Sequence, residues 1–419
     1  MASDGVDPGA ATSTWAPLRI GAFRGLFIAA LTSNIGTWMQ TVGAQWFLVE
    51  HHASATTVAL VQTASLSPTL ILAIFAGALA DRVDRRRLLI ALQVCAAVAA
   101  AVLTAIAVAG VLNPLSLLSL LFAIGCAAAM TTPAWQAIQP ELVPREQFPA
   151  AASLSGVTVD AARAIGPPIA GVLVAAAGPQ AVFAINTASF AVVVAALVAW
   201  KRPPSTPVDR EPLSRSTVTG LRYVRDSEAV RRILLRAALF AFPVSALWAL
   251  LPIAASQHWH LRAIGYGAVL GTMGMGAVLG ALVMSRLRAT YSANALLAIA
   301  ALTDAAGLLA AAYLPLAAGV VLLLLAGVAW IATLTTLTVA AQLDLPQWVQ
   351  ARGLAIYLVV LIGSQAVGAF VWGLVASHFG LAASLTAAAV LMLATAASQG
   401  VLPLLPTTEY ERRGTSDLW

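Results

Sequence analysis

Asp160 and Arg163 are opposite charges placed where charge is expensive. They stand three residues apart inside the mostly apolar run 150–177. A charged side chain at the centre of a bilayer costs about 3 kcal/mol on insertion scales, so such a pair is not idle. Residues at i and i+3 share a helix face and can neutralise each other. Two readings fit. Asp160 is a proton-coupling carboxylate whose proton affinity Arg163 sets, or the two form a permanent structural pair. A second set is polar rather than charged. Asn34, Trp38, Thr41 and Gln45 recur at helical spacing within the run 25–49 and share one face. Amides turned to lipid would be costly, so that face must meet other helices or water. It is either a substrate-facing stripe with an aromatic platform or interhelical glue worth roughly 0.6 kcal/mol per hydrogen bond.

The elements that must hold these residues are long apolar segments. The chain has 419 residues, 60% hydrophobic and only 10% charged, with mean hydropathy +0.88. A soluble domain carries about 25% charge, so most of this surface must face lipid. Twelve runs are long enough to span at about 20 residues each. They cover 25–49, 57–80, 88–110, 114–138, 150–177, 180–200, 233–256, 265–285, 292–313, 315–341, 353–377 and 381–402. Residues 1–18 lack a basic start and an apolar stretch, so we expect no cleavable signal and a retained first span.

Charge sets the expected sidedness. Of 23 basic residues, 21 fall on one set of alternate flanks, Arg262 falls on the other, and Arg163 lies within a span. Positive flanks stay in the cytoplasm, so both termini are expected there, in a multi-pass inner or plasma membrane protein. The densest cluster is the short loop at 77–87, with Asp81, Arg82, Asp84, Arg85, Arg86 and Arg87 between two apolar runs. The longest loop is basic and proline-rich. It divides the chain into a cytoplasmic segment 1–24, a six-helix bundle 25–200, a central loop 201–232, a second bundle 233–402 and a cytoplasmic tail 403–419. The basic balance, scattered between apolar runs, does not suit nucleic acid.

Several chemistries have no residues to carry them. A phosphate-binding loop needs Gly-Lys-Ser/Thr, and the sole lysine, Lys201, follows Trp200. No His-Glu-x-x-His or Gly-x-Ser-x-Gly occurs, and the five histidines are not spaced as metal ligands. Cys95 and Cys126 both lie in apolar runs. No enzyme, metal or cofactor is expected. Asp304, alone in the run 292–313, is expected to hydrogen-bond a neighbouring helix, and Glu50, His51 and His52 to form a solvated rim.

The halves repeat weakly at an offset of about 202 residues. Gly166, Gly171 and Gly178 match Gly368, Gly373 and Gly380, while Gly77 matches Gly280 and Pro144 matches Pro346. Parallel six-helix halves are one transporter architecture. The loop Gly77-Ala-Leu-Ala-Asp81-Arg82-Val-Asp84-Arg85, with twelve spans and this repeat, resembles the major facilitator superfamily. Gly166-Pro167-Pro168 within 150–177 resembles the glycine-proline signature of proton-coupled exporters, with Ala170 where a second glycine is common. Ser33 to Gln40, Pro133 to Arg145, Ala162 to Pro167 and Gln342 to Arg352 are similar to the enterobactin-exporter-like branch.

That resemblance implies an all-α membrane protein of two six-helix bundles that exports a small amphipathic molecule by alternating access, coupled to protons and acting as a monomer. It also implies a pathway lined by the first, fourth, seventh and tenth spans. Asn34, Trp38, Thr41, Gln45, Trp135, Gln136, Trp248 and Trp330 are then pathway residues. It implies a gate in which Asp81 faces Arg352 beside Gly77, Arg82 and Arg85. Gly166 and Pro167 fit either a sliding interface between the halves or static close packing. The alternatives are an importer or facilitator of a small organic solute, or a receptor or scaffold that transports nothing.

Overall fold

The computed structural model describes residues 14–201, 223, 225–346, 348–400 and 402–404, with the side chains at 74, 77, 78, 80–82 and 351 left aside. The described helices that follow the spans are α1 (Gly21–Glu50), α2 (Ala55–Arg82), α3 (Arg85–Val108), α4 (Pro114–Leu142), α5 (Phe148–Ala177) and α6 (Pro179–Ala199). The second half holds α7 (Glu228–Ile253), α8 (Ala263–Thr290), α9 (Ala293–Tyr313), α10 (Leu316–Asp344), α11 (Gln350–Phe379) and α12 (Leu381–Ala397). A π-helical turn, Ala254–His258, follows α7.

Local chemistry sets the ends. Asp84 accepts from the Arg87 amide (2.9 Å) and so opens α3. At α4, Asn113 Oδ1 accepts from the Ser116 amide (2.9 Å) while Ser116 Oγ accepts from the Asn113 amide (3.2 Å). This reciprocal box satisfies two otherwise orphan donors. Gly178 ends α5 at φ 76° and Gly380 ends α11 at φ 89°. Both are conformations that glycine adopts without penalty.

Among the described residues, ten helices are long and apolar enough to cross a membrane by length and composition. α1 is not among them, because its own polar stripe lowers its hydropathy. α12 is apolar but has only 17 residues. At 1.5 Å per residue it falls a little short of a hydrocarbon core of about 30 Å.

The packing repeats helix by helix. In the first half α1 lies against α5 and α6, α2 against α4, and α3 against α4 and α6. In the second, α7 lies against α11 and α12, α8 against α10, and α9 against α10 and α12. The halves meet along two seams, α5 with α8 and α2 with α11. These seams lie toward the end remote from Arg85, Arg145 and Arg288. One buried cluster there takes side chains from both halves, among them Trp46, Phe183, Tyr266 and Trp372. At the basic end the core divides. Phe23, Leu89, Leu154 and Leu197 cluster within the first half, and Ile233, Leu337 and Tyr357 within the second. Among the described residues, the buried core is therefore shared by the halves at one end and divided between them at the other.

Candidate functional site

In the basic half of the first bundle lies a cavity of about 730 Å³. Its size is that of a small-molecule site. Asn34 and Thr37 from α1, Trp135, Gln136 and Gln139 from α4, and Ser155 from α5 are among its lining. Asn34 Nδ2 donates to Thr158 Oγ1 (3.1 Å), which ties α1 to α5 at the wall. The lining is apolar and hydroxyl- or amide-bearing, with no charged residue. A second cavity of about 530 Å³ sits at the end where the halves share a core, between Val49, Ser54, Gln257 and Ser377. It is remote from Asp160 and Arg163, so the chemistry favours the first.

Arg163 sits one helical turn beyond the inner end of the larger cavity. Thr37 and Val159 line that end, and Trp38 and Asp160 follow them directly in sequence. Three indoles converge on the guanidinium. Arg163 Cζ lies 5.6 Å from the Trp38 ring centroid, 5.7 Å from Trp248 and 5.6 Å from Trp330. The rings touch one another, Trp38 and Trp248 at 5.7 Å and Trp248 and Trp330 at 5.6 Å between centroids. Each face attracts the cation, worth ~2 kcal/mol when desolvated. Asp160 Oδ1 lies 3.5 Å from Arg163 Nη1, an ion pair too long for a hydrogen bond. The Asp160 side chain stays 27% exposed and that of Arg163 11%, so the acid is the member that water reaches. The cage joins the halves, since Trp38 and Arg163 come from one bundle and Trp248 and Trp330 from the other.

The α1 stripe divides by depth. Asn34 lines the cavity and Trp38 joins the cage. Thr41 Oγ1 bonds back to Thr37 O (3.0 Å). Gln45 is fully buried, donating from Nε2 to Trp248 O (3.2 Å) and accepting from Tyr266 Oη (2.5 Å). Its place is in the contact between halves, off the cavity lining. Gly166 brings α1 close, since a Cβ there would stand 2.8 Å from Trp38 Cβ. Pro167 faces Gly267 across the α5–α8 seam. At the basic end, Arg85 Nη1 donates to Ala137 O and Glu141 Oε1, both at 3.1 Å, within its own half. Arg352 lies in the first turn of α11. The side chains of Gly77, Asp81 and Arg82, and hence the expected contact between Asp81 and Arg352, lie outside the described residues.

Three features escape the residue pattern. Tyr266 partners Gln45, and Asn186 Nδ2 donates to Gln40 Oε1 (2.7 Å) in a fully dry setting. An amide within an apolar run was the available signal for Asn186. Arg236, buried in α7, donates from Nε and Nη2 to Leu402 O and from Nη2 to Ser398 O, closing the end of α12. Asp304 is 1% exposed, and neither of its oxygens meets a donor among the described residues. The expected bond to a neighbouring helix is not made, and Thr333 and Thr336 of adjacent α10 leave their hydroxyls unpaired as well.

Residues 12–419 match the model of a family described as transmembrane secretion effector. The chain is 30% identical over 150 residues to the staphyloferrin A transporter of Staphylococcus aureus (strain NCTC 8325 / PS 47), covering 36% of this chain and 38% of that protein. It is 25% identical over 278 residues to the multidrug efflux pump Tap of Mycolicibacterium fortuitum, covering 59% and 65%. The chain thus spans less than two thirds of the length of these relatives. Among solved structures, a mutant of the nucleoside transporter NupG superposes with TM-score 0.76 at 12% identity, covering 91% of this chain and 100% of that one. An inward-facing, unoccupied bacterial homolog of the human lysosomal transporter Spinster gives 0.69 at 16%, covering 92% and 95%. At these identities the likeness is one of fold.

Proposed function

The chain belongs to the transmembrane secretion effector family of major facilitator transporters, and on that premise we propose that it is a secondary active exporter of a small amphipathic molecule such as a siderophore, drug or natural product. The observation that carries this reading is a cavity of the first half toward the arginine-rich end, with Val159 of its lining one helical turn from the Arg163 cage that joins the two halves. Arginine-rich flanks belong to the cytoplasm by the positive-inside rule, so the cavity is the inward-facing, loading form of an alternating-access cycle. Relatives named as a staphyloferrin A transporter and a multidrug efflux pump support cargo of this class.

The seal must open for release. Trp248 and Trp330 then leave Arg163, which keeps Trp38 and has Asp160 as its counter-charge. A carboxylate that is partly wet in one state and a main counter-charge in the other suits proton exchange. Purified protein in liposomes, loaded with a fluorescent amphipathic dye and given a proton gradient, tests the reading. Dye should move opposite to protons, and Asp160→Asn should abolish gradient-driven flux while leaving dye binding within about threefold. Flux indifferent to the gradient in the parent protein would sink the coupling. Dye movement together with protons would reverse the direction.

A further inference from the structure

The Arg163 cage has a surplus of donors. Arg163 Nε and Nη1, Trp248 Nε1 and Trp330 Nε1 are all buried, and none has an acceptor among the described residues. Trp248 is 7% and Trp330 5% exposed, so bulk water does not make up the deficit. Leaving a buried donor unmet costs about 1–3 kcal/mol. Four such donors, gathered on rings and a guanidinium that touch, describe a place built for acceptor atoms. Asp160 does not fill it, at 3.5 Å from one nitrogen.

The cage geometry says which ligand suits it. Arg163 Nε and Nη1 lack acceptors while its Cζ lies over the three indoles, and the N–H edge of a guanidinium matches a carboxylate bidentately. A cationic head would find the ring faces taken and would meet the charge of Arg163. The site neighbours the cavity, since Val159 of its lining stands one helical turn before Arg163 and Thr37 directly precedes Trp38. We infer that the cage is the head-group subsite of the cargo, and that the cargo carries a carboxylate or similar oxyanion which binds the Arg163 edge and the Trp248 and Trp330 N–H groups while its apolar body lies in the cavity of α1, α4 and α5. This rests on the exporter reading and narrows its substrate class. It also gives Asp160 a competitor, because a bound oxyanion takes over the counter-charge that Asp160 now shares.

The test uses the full chain in nanodiscs and three matched probes, 1-naphthylacetate, 1-naphthylacetamide and 1-naphthylmethylammonium, with acetate as a fourth. Binding is read by calorimetry. The carboxylate should bind at least about tenfold more tightly than the amide, as charged hydrogen bonds warrant. Arg163→Gln should remove that preference and spare the amide. Trp330→Phe keeps an aromatic ring and loses only the N–H, so it guards against a folding failure, and it should weaken the carboxylate alone by several-fold. Equal binding of carboxylate and amide, tighter binding of the ammonium, no binding of any probe at millimolar concentration, or acetate matching naphthylacetate would each overturn the subsite. The exporter reading fails separately. If naphthylacetate binds as expected but no probe crosses liposomes, transport falls and the subsite stands. If the amide or ammonium is carried with no preference for the carboxylate, the reverse holds.

Discussion

The two seams between the halves are repeats of one another, and they are closed by different chemistry. Gly171 of α5 and Gly373 of α11 are the same position counted from the two halves. Each touches the first turns of the helix across the divide, α8 or α2. At Gly171 a Cβ would stand 2.7 Å from Ala263 O and 3.2 Å from the Cα of Gly267, so backbone meets backbone. At Gly373 the closest neighbour is the Ala59 methyl, with the Thr56 Cα at 3.2 Å. The second seam leaves room for hydroxyls. Thr56 N donates to Ser377 Oγ (2.8 Å), and Thr63 Oγ1 donates to Ala366 O (3.1 Å). One seam closes backbone on backbone with no side-chain hydrogen bond across it among the described residues, and the other closes on a methyl and is hydrogen-bonded. The repeat preserved the glycine and let the sealing chemistry diverge, so the two are expected to part with different ease.

The largest break in this comparison is Gly171→Val. Backbone cannot rotate away, and overpacking costs about 1–3 kcal/mol. A penalty of about 2 kcal/mol on the sealed form shifts the two-state ratio roughly thirtyfold toward the form open at the far end. Spin labels at the ends of α2 and α11, in a background free of Cys95 and Cys126, should show the longer distance dominate. An unchanged distance distribution would mean that this seam is not the close one. The next test sharpens the contrast. Gly373→Ala should weaken the seal, and Ala59→Gly added to it should restore the parent distance, because the clash is with a methyl. Gly171→Ala has no such partner to trim. If a single truncation on α8 rescued it, the distinction between the seams would be lost. The smallest effect belongs to the hydroxyls. Ser377→Ala should shift the ratio by about threefold, as interhelical hydrogen bonds in membranes average about 0.6 kcal/mol. A shift as large as that of Gly171→Val would reverse the ranking.

Much of the fold was legible because lipid and backbone leave few choices. The twelve runs became α1 to α12, with ends moved by a few residues where caps such as Asp84 and the Asn113–Ser116 box act locally. The paired glycines returned in paired roles, Gly178 and Gly380 at helix ends and Gly171 and Gly373 at seams. The candidate site was legible only in part. Asp160 and Arg163 stand out as charges in an apolar run, and the amide face of α1 was plain. What each face meets is a matter of packing between distant segments. No periodicity places Trp248 and Trp330 against Arg163, or turns Gln45 to Tyr266 while Asn34 meets the cavity. Asp304 shows the converse. Its position suggested a hydrogen bond, and the packed helices supply none.

The polarity of α1 bears on how the molecule is made. Asn34 is satisfied by Thr158, Gln40 by Asn186 and Gln45 by Tyr266. All three partners are synthesised after it. α1 therefore emerges before these partners, with too little apolar character to count as a span and its polar groups unmet, and it settles only as α5, α6 and α8 arrive. Membrane insertion of this protein is a step that later sequence completes for earlier sequence, and a truncation after α4 should leave the first helix poorly held in the lipid.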